Sequence, residues 1–291
     1  MNSHRLTIVI LLLACAALAQ ERGIIPEEFI KARPAKPAAA PKKGPTYKLV
    51  GPGSVQLASL RKNSADTRDL GVTIWRLRPS VATDNGARLL VQEGSETISW
   101  TPERVASGTL LRTSDRVRLS IESPQSGYLY VIDREKYAGN KTGEPHLIFP
   151  TTRTHNGDNQ VSAGHLIEIP AQDDRPNYFT LRPSQPGQAG EVLTLLVTDK
   201  PIEGLTIGPK DLVLSEEQVA AWEKQWGRKV EHFEMAGGNG KTWTQAEQEA
   251  GADTSRLLTQ DDPGPQTIYQ VVGKPGEPLL VNVGLTYSPH K

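Results

Sequence analysis

The residues that could do chemistry are concentrated in the middle of this 291-residue chain. His146, His155 and His165, with Asp158, Asp173 and Asp174, present metal-ligating atom types. Zinc sites usually draw two ligands from a tight local spacing, which the gaps between these histidines do not supply. The run Thr154-His155-Asn156-Gly157-Asp158-Asn159 is rich in oxygen donors, as calcium loops are, but it lacks the acidic order and terminal Glu of an EF-hand. Asn-Gly is first of all a turn signal. The expectation is therefore no metal and no cofactor. Gly240-Lys241-Thr242 invites a phosphate-loop reading, yet Met235 stands where the first glycine is needed, and the segment before it reads as a charged helical run. No Gly-x-Ser-x-Gly elbow is present. Ser126, Asp133 and His146 are near in sequence, but such residues beside turns mostly bond to local backbone. Asp173-Asp174 and Asp261-Asp262 read as solvated loop acids rather than a glycosidase pair. A non-enzyme is expected. The contact residues expected are Arg153, His155 and Asp158, on one of the two large polar loops, 134–145 and 151–161.

These loops hang on strands. Val117, Leu119 and Ile121 alternate with Arg116, Arg118 and Ser120, the pattern of a strand with one wet face. A Ser-Pro-Gln-Ser-Gly turn follows, and Tyr128 to Ile132 is apolar on both faces. The pair reads as a hairpin that opens an antiparallel meander through 147–149 and 165–169. Further strands are expected at 71–79, in a hairpin of 87–92 with 96–100, at 178–181 and at 192–198. A first strand is expected within 49–60. At least eight short strands with turns between them predict a mainly β fold, an antiparallel, Ig-like β-sandwich. Beyond residue 206 the pattern changes. Ser215-Glu216-Glu217-Gln218 has capping-box form ahead of Val219, Trp222 and Trp226, and Thr244-Gln245-Ala246-Glu247 repeats it. A C-terminal helical excursion over 207–277 then precedes a strand at 279–287, which returns to the sandwich. The i, i+4 tryptophans are expected to face the core.

The segments GYLYVIDRE, LIFPT, DNQVSAGHLIEIP and YFTLRPS, with GVTIWRLRP, WTPERV and GEVLTLLVT, resemble the bacterial family called domain of unknown function 4384. The resemblance covers roughly residues 70 to 200. It implies export and an accessory role, since relatives are typically exported and some are fused to peptidase or kinase domains. It implies no catalytic residues.

The chain holds 33 basic and 33 acidic residues. Residues 1–45 contain 7 Lys+Arg and 3 Asp+Glu, so the remainder carries 26 − 30 = −4. A mildly acidic globule gives no electrostatic support for binding nucleic acid. The start, HRLTIVILLLACAALAQ, reads as a secretory signal over 1–19 with an A-x-A cleavage site, too short to span a bilayer. The rival is a lipobox, in which Cys15, the one cysteine, would carry a lipid anchor. Residues 20–45, which include KARPAKPAAAPKKGP, read as a flexible Pro/Ala/Lys-rich linker.

The organisation expected is signal (1–19), linker (20–45), sandwich (46–206), and helical excursion with final strand (207–291). The function expected is a non-catalytic binding or scaffolding module, exported to the periplasm or beyond, whose partner is another envelope protein. The alternative is a secreted hydrolase or carbohydrate-active protein. What separates the two is a concave pocket holding titratable groups of shifted pKa.

Overall fold

The computed structural model describes residues 24–35, 45–50, 67–84, 86, 88–93, 95–274 and 276–288. The segment expected to be a signal peptide or, in the rival reading, a lipobox lies outside these residues, as does most of the stretch expected to hold the first strand.

The fold is mainly β and is organised around one long strand, β2 (Thr67–Pro79). Its length lets it serve several partners at once. Along one edge it pairs first with β15 (Thr267–Val272) and then with β4 (Glu96–Val105), which forms a hairpin with β3 (Leu89–Glu93). Along the other edge lies β6 (Arg116–Glu122), which also pairs with β10 (Leu166–Ile169) and β11 (Phe179–Thr180). Beyond β15 come β14 (Val230–Met235) and the edge strand β1 (Tyr47–Val50). The second sheet centres on β7 (Gly127–Tyr137) and β12 (Gln188–Thr198). β8 (His146–Phe149), β9 (Gln160–Val161) and β13 (Leu212–Val213) complete one side, and β16 (Leu279–Tyr287) with β5 (Leu110–Leu111) the other. All described pairings are antiparallel except β5 with β16.

The inner faces of the two sheets build one core. Leu70 and Val72 from β2 and Val117, Leu119 and Ile121 from β6 meet Leu129 and Val131 from β7, Leu195 from β12 and Val281 from β16. That is a sandwich. With nine and seven strands among the described residues, the sheets exceed those of an immunoglobulin domain, so the Ig-like subtype gains no support.

The expected hairpin of 117–121 with 128–132 does not form. β6 and β7 belong to different sheets, and the turn between them carries the chain across the sandwich. Each strand has apolar residues for the same interior and supplies them from opposite sides. Gly127 is needed there because a Cβ would lie 2.2 Å from the Thr198 carbonyl oxygen. The meander expected through 165–169 fails with it, since β10 pairs with β6.

The outer faces are also covered. α2 (Glu216–Trp226) starts where Ser215 caps it, accepting from the Gln218 amide, and lays Val219 and Trp222 on Tyr130, Ile132 and Leu196. α3 (Gln245–Ala252) starts in the full capping box at Thr244 and Glu247. The excursion also supplies β14 and β15 to the first sheet. The run before Gly240, read as helical, is strand β14, and Gly240 lies in the turn of 238–241, after which the chain runs beside β4 to Trp243. Residue 206 is therefore no structural boundary.

The polar face of β6 is not wet. Arg118, Ser120 and Glu122 are buried beneath α3 and an N-terminal strap. Arg118 pairs with Glu168 at 2.7 Å, and Arg104 pairs with Glu247 of α3. The strap begins with α1 (Ile24–Lys31). Phe29 packs with Tyr47, Phe233 and Ile268. Arg33 clamps Glu122 with two bonds of 2.9 and 2.6 Å and donates to the Asp262 carbonyl at 3.0 Å. Gln260 donates to the Arg33 carbonyl at 2.9 Å. Over 24–33 the linker expectation does not hold, while 36–44 lie outside the described residues.

Candidate functional site

The inner face of β7 changes character along its length. Leu129 and Val131 are core, and the next residues in the same register are Asp133, Glu135 and Tyr137. The sandwich interior therefore ends in carboxylates. Strand pairing sets Asp133 opposite His146 of β8 and Glu135 opposite Glu191 of β12. The result is a cleft of about 730 Å³. Asp133, Glu135, Glu144, Asp211 and Glu216 line it, with no lysine or arginine among the lining residues.

Burial, reinforced by the charges of Glu191 and Glu135, pushes the Asp133 carboxyl up to about 8. Its Oδ1 is shut off from solvent and has no hydrogen-bond partner among the described residues. Burial acts the same way on Glu135, but hydrogen bonds from Ser184 and Tyr137 outweigh it and hold that carboxyl below its ordinary range. Glu191, behind them, is raised by burial and accepts from the Tyr287 hydroxyl. His146 Nδ1 lies 2.6 Å from the Asp211 carboxylate.

Past Ile148 and Asp211, which line both, the cleft adjoins a second pocket of about 280 Å³. Arg153 and Lys210 stand at this pocket beside Tyr178, Phe179 and Pro209. Tyr178 is held in place by the Arg116 guanidinium, 4.5 Å from its ring.

Of the three contact residues expected from sequence, Arg153 lines the second pocket, and His155 and Asp158 line neither of these two. His155 is structural: its amide donates to the Asp174 carboxylate at 3.1 Å, its Nε2 lies 2.6 Å from the Glu168 carbonyl oxygen, and its ring meets Phe149 edge-on. Asp158 accepts from the Gln160 amide two residues on. The three do not converge. Ser126 accepts from the Ala163 amide and stands seven residues, about 23 Å along an extended strand, from Asp133. Asp262 is tied to Arg256. Among the described residues no three His, Cys, Asp or Glu side chains are placed to share a metal ion, and no helix is long and apolar enough to cross a membrane.

Sequence reasoning weighed Asp133 only beside Ser126 and His146 and set it aside, and it did not single out Glu135 or Glu191. The signal was there in part: continuing the alternation of Leu129 and Val131 puts Asp133 and Glu135 on the core face.

The class that fold and site define is a two-sheet, mainly β protein with an acid-lined cleft where its interior opens. Comparison with known proteins found no matching family model, no matching curated protein and no matching solved structure.

Proposed function

We propose that this chain is a non-catalytic binding or scaffolding module exported to the bacterial cell envelope, in the periplasm or outside it, and that the two-part cleft is its contact surface. The observation that carries this reading is a concave surface on which five carboxylates face one another with no lysine or arginine among the lining residues of the larger pocket. Export and an accessory role rest on the secretory pattern of the first 19 residues and on the resemblance of 70–200 to the domain of unknown function 4384 family. An anchor through Cys15 is the minority form. The partner class is another envelope protein.

The test is capture from an envelope extract by the full mature chain, read by mass spectrometry against a heat-unfolded control. One protein enriched near stoichiometry, and lost with Glu144→Lys/Glu216→Lys, is the expected result. Capture undiminished by that variant would move the contact elsewhere, and no enrichment would count against the module.

A second reading, a secreted carbohydrate-active hydrolase, is favoured by the criterion that separates the two, since the concave pocket holds titratable groups of shifted pKa. Asp133 and Glu135 lie two residues apart on one strand face, about 6.6 Å between Cα atoms, with their pKa values pushed in opposite directions. Such divergence marks an acid paired with an ionised carboxylate. Release of reducing sugar from envelope glycans by the wild type, abolished in Asp133→Asn, would establish this reading. The binding module predicts none.

A further inference from the structure

We infer that the two pockets are subsites for one bipolar peptide segment: a lysine or arginine side chain enters the acid-lined cleft, and a carboxylate lies against Arg153 and Lys210. This rests on the binding-module reading and names its ligand class.

The acid-lined cleft alone would fit any cation, so the adjoining pocket decides the class. Arg153 and Lys210 are exposed, and among the described residues their side-chain nitrogens have neither an ion pair nor a hydrogen bond. That sets them apart from Arg76, Arg78, Arg116, Arg134 and Arg256, each engaged with a carboxylate on the partly exposed surface. Asp211, the acid common to both pockets, is occupied by His146. Two free cations beside a fixed aromatic wall suit a carboxylate on an apolar stem, because a guanidinium binds a carboxylate through charge-assisted hydrogen bonds. A free metal ion would leave Arg153 and Lys210 unmatched, and a simple anion would meet the field of the acids next door. A bipolar ligand satisfies both walls. The pockets adjoin at Ile148, and their combined size exceeds that of one amino acid. A peptide places opposite charges one to a few residues apart, at up to about 3.4 Å per residue.

The experiment is calorimetric titration of the full mature chain with acetyl-Lys-(Ala)n-Glu-amide, n from one to three. Each is compared with the Gln analogue, which lacks the carboxylate, and the Ala analogue, which lacks the ammonium. At the best spacing, loss of either charge should weaken binding about tenfold or more, as loss of a charge-assisted bond does. Arg153→Glu/Lys210→Glu should erase the preference for Glu over Gln while keeping that for Lys over Ala. Glu144→Lys/Glu216→Lys should do the reverse. Equal binding of the Glu and Gln peptides would overturn the bipolar ligand and leave a cation-binding module standing. No binding at any spacing would overturn the inference, and the envelope capture above would then decide separately whether the module reading survives.

Discussion

Asp133 stands in a register that Leu129 and Val131 define as core, and it places an ionisable group there. The consequence is a pH dependence of known sign. The folded-state value of about 8 lies above the ordinary carboxylate value of 3.8. Between those values the native state therefore holds a proton that the unfolded chain has released, and stability falls as pH rises from about 4 to about 8. Asp133→Asn should remove that part of the slope, making the variant the more stable protein at pH 8. Urea unfolding of both proteins across this range checks it, and parallel curves would reject the assignment. Asp69, raised by burial to about 6, contributes a slope of the same sign over a narrower window in both proteins. At this scale the sequence was least legible. His155, Asp158 and Arg153 share a loop rich in site-like side chains, but two of them hold the loop together. The carboxylates that define the cleft gather from β7, the segment before β8 and the 209–216 segment, and only the fold makes them neighbours.

The elements divide into those legible as periodicity and those that tertiary pairing imposes. The two N-capped helices were plain in the sequence because their signals are local, though the reciprocal bond of a capping box forms only at Thr244 and Glu247, and Trp222 is buried as the i, i+4 spacing required. Trp222→Ala should cost ~3–5 kcal/mol in urea unfolding, the usual cost of truncating a core tryptophan. It packs on the outer face of the second sheet and stacks on Trp226 at 5.9 Å. β14, VEHFEM, escaped notice because a strand with a glutamate on each face reads as a polar helix unless its partners are known. The strap escaped notice because a Lys/Pro/Ala composition says nothing of one arginine that finds a buried acid. The Arg33 and Glu122 side chains are 3% and 4% exposed, so Arg33→Ala strands a buried carboxylate and should cost about 3–5 kcal/mol. The double replacement Arg33→Leu/Glu122→Leu should recover most of that loss. If the double variant is no better than the single, the pair is not the source of the cost.

The whole molecule is one cooperative unit because the chain crosses between its sheets repeatedly. β14 and β15 stand between β1 and β2 in the first sheet, and β16 pairs along β12 in the second. A chain ending at residue 206 should therefore fail to fold, with no dispersed amide spectrum, because both sheets lose neighbours from their interiors. The sequence conveyed the class, since class follows from strand number and turn spacing, but it could not convey which strands face each other across the core. The strap has a mechanical consequence. For a protein held by its N-terminus, load meets α1 first, where Phe29 packs on Tyr47, Phe233 and Ile268, and then Arg33, which carries it through Glu122 into β6, next to the longest strand of the first sheet. Arg33→Ala would open the route through Glu122 and leave the packing of Phe29 to bear the load, lowering the force at which the strap detaches.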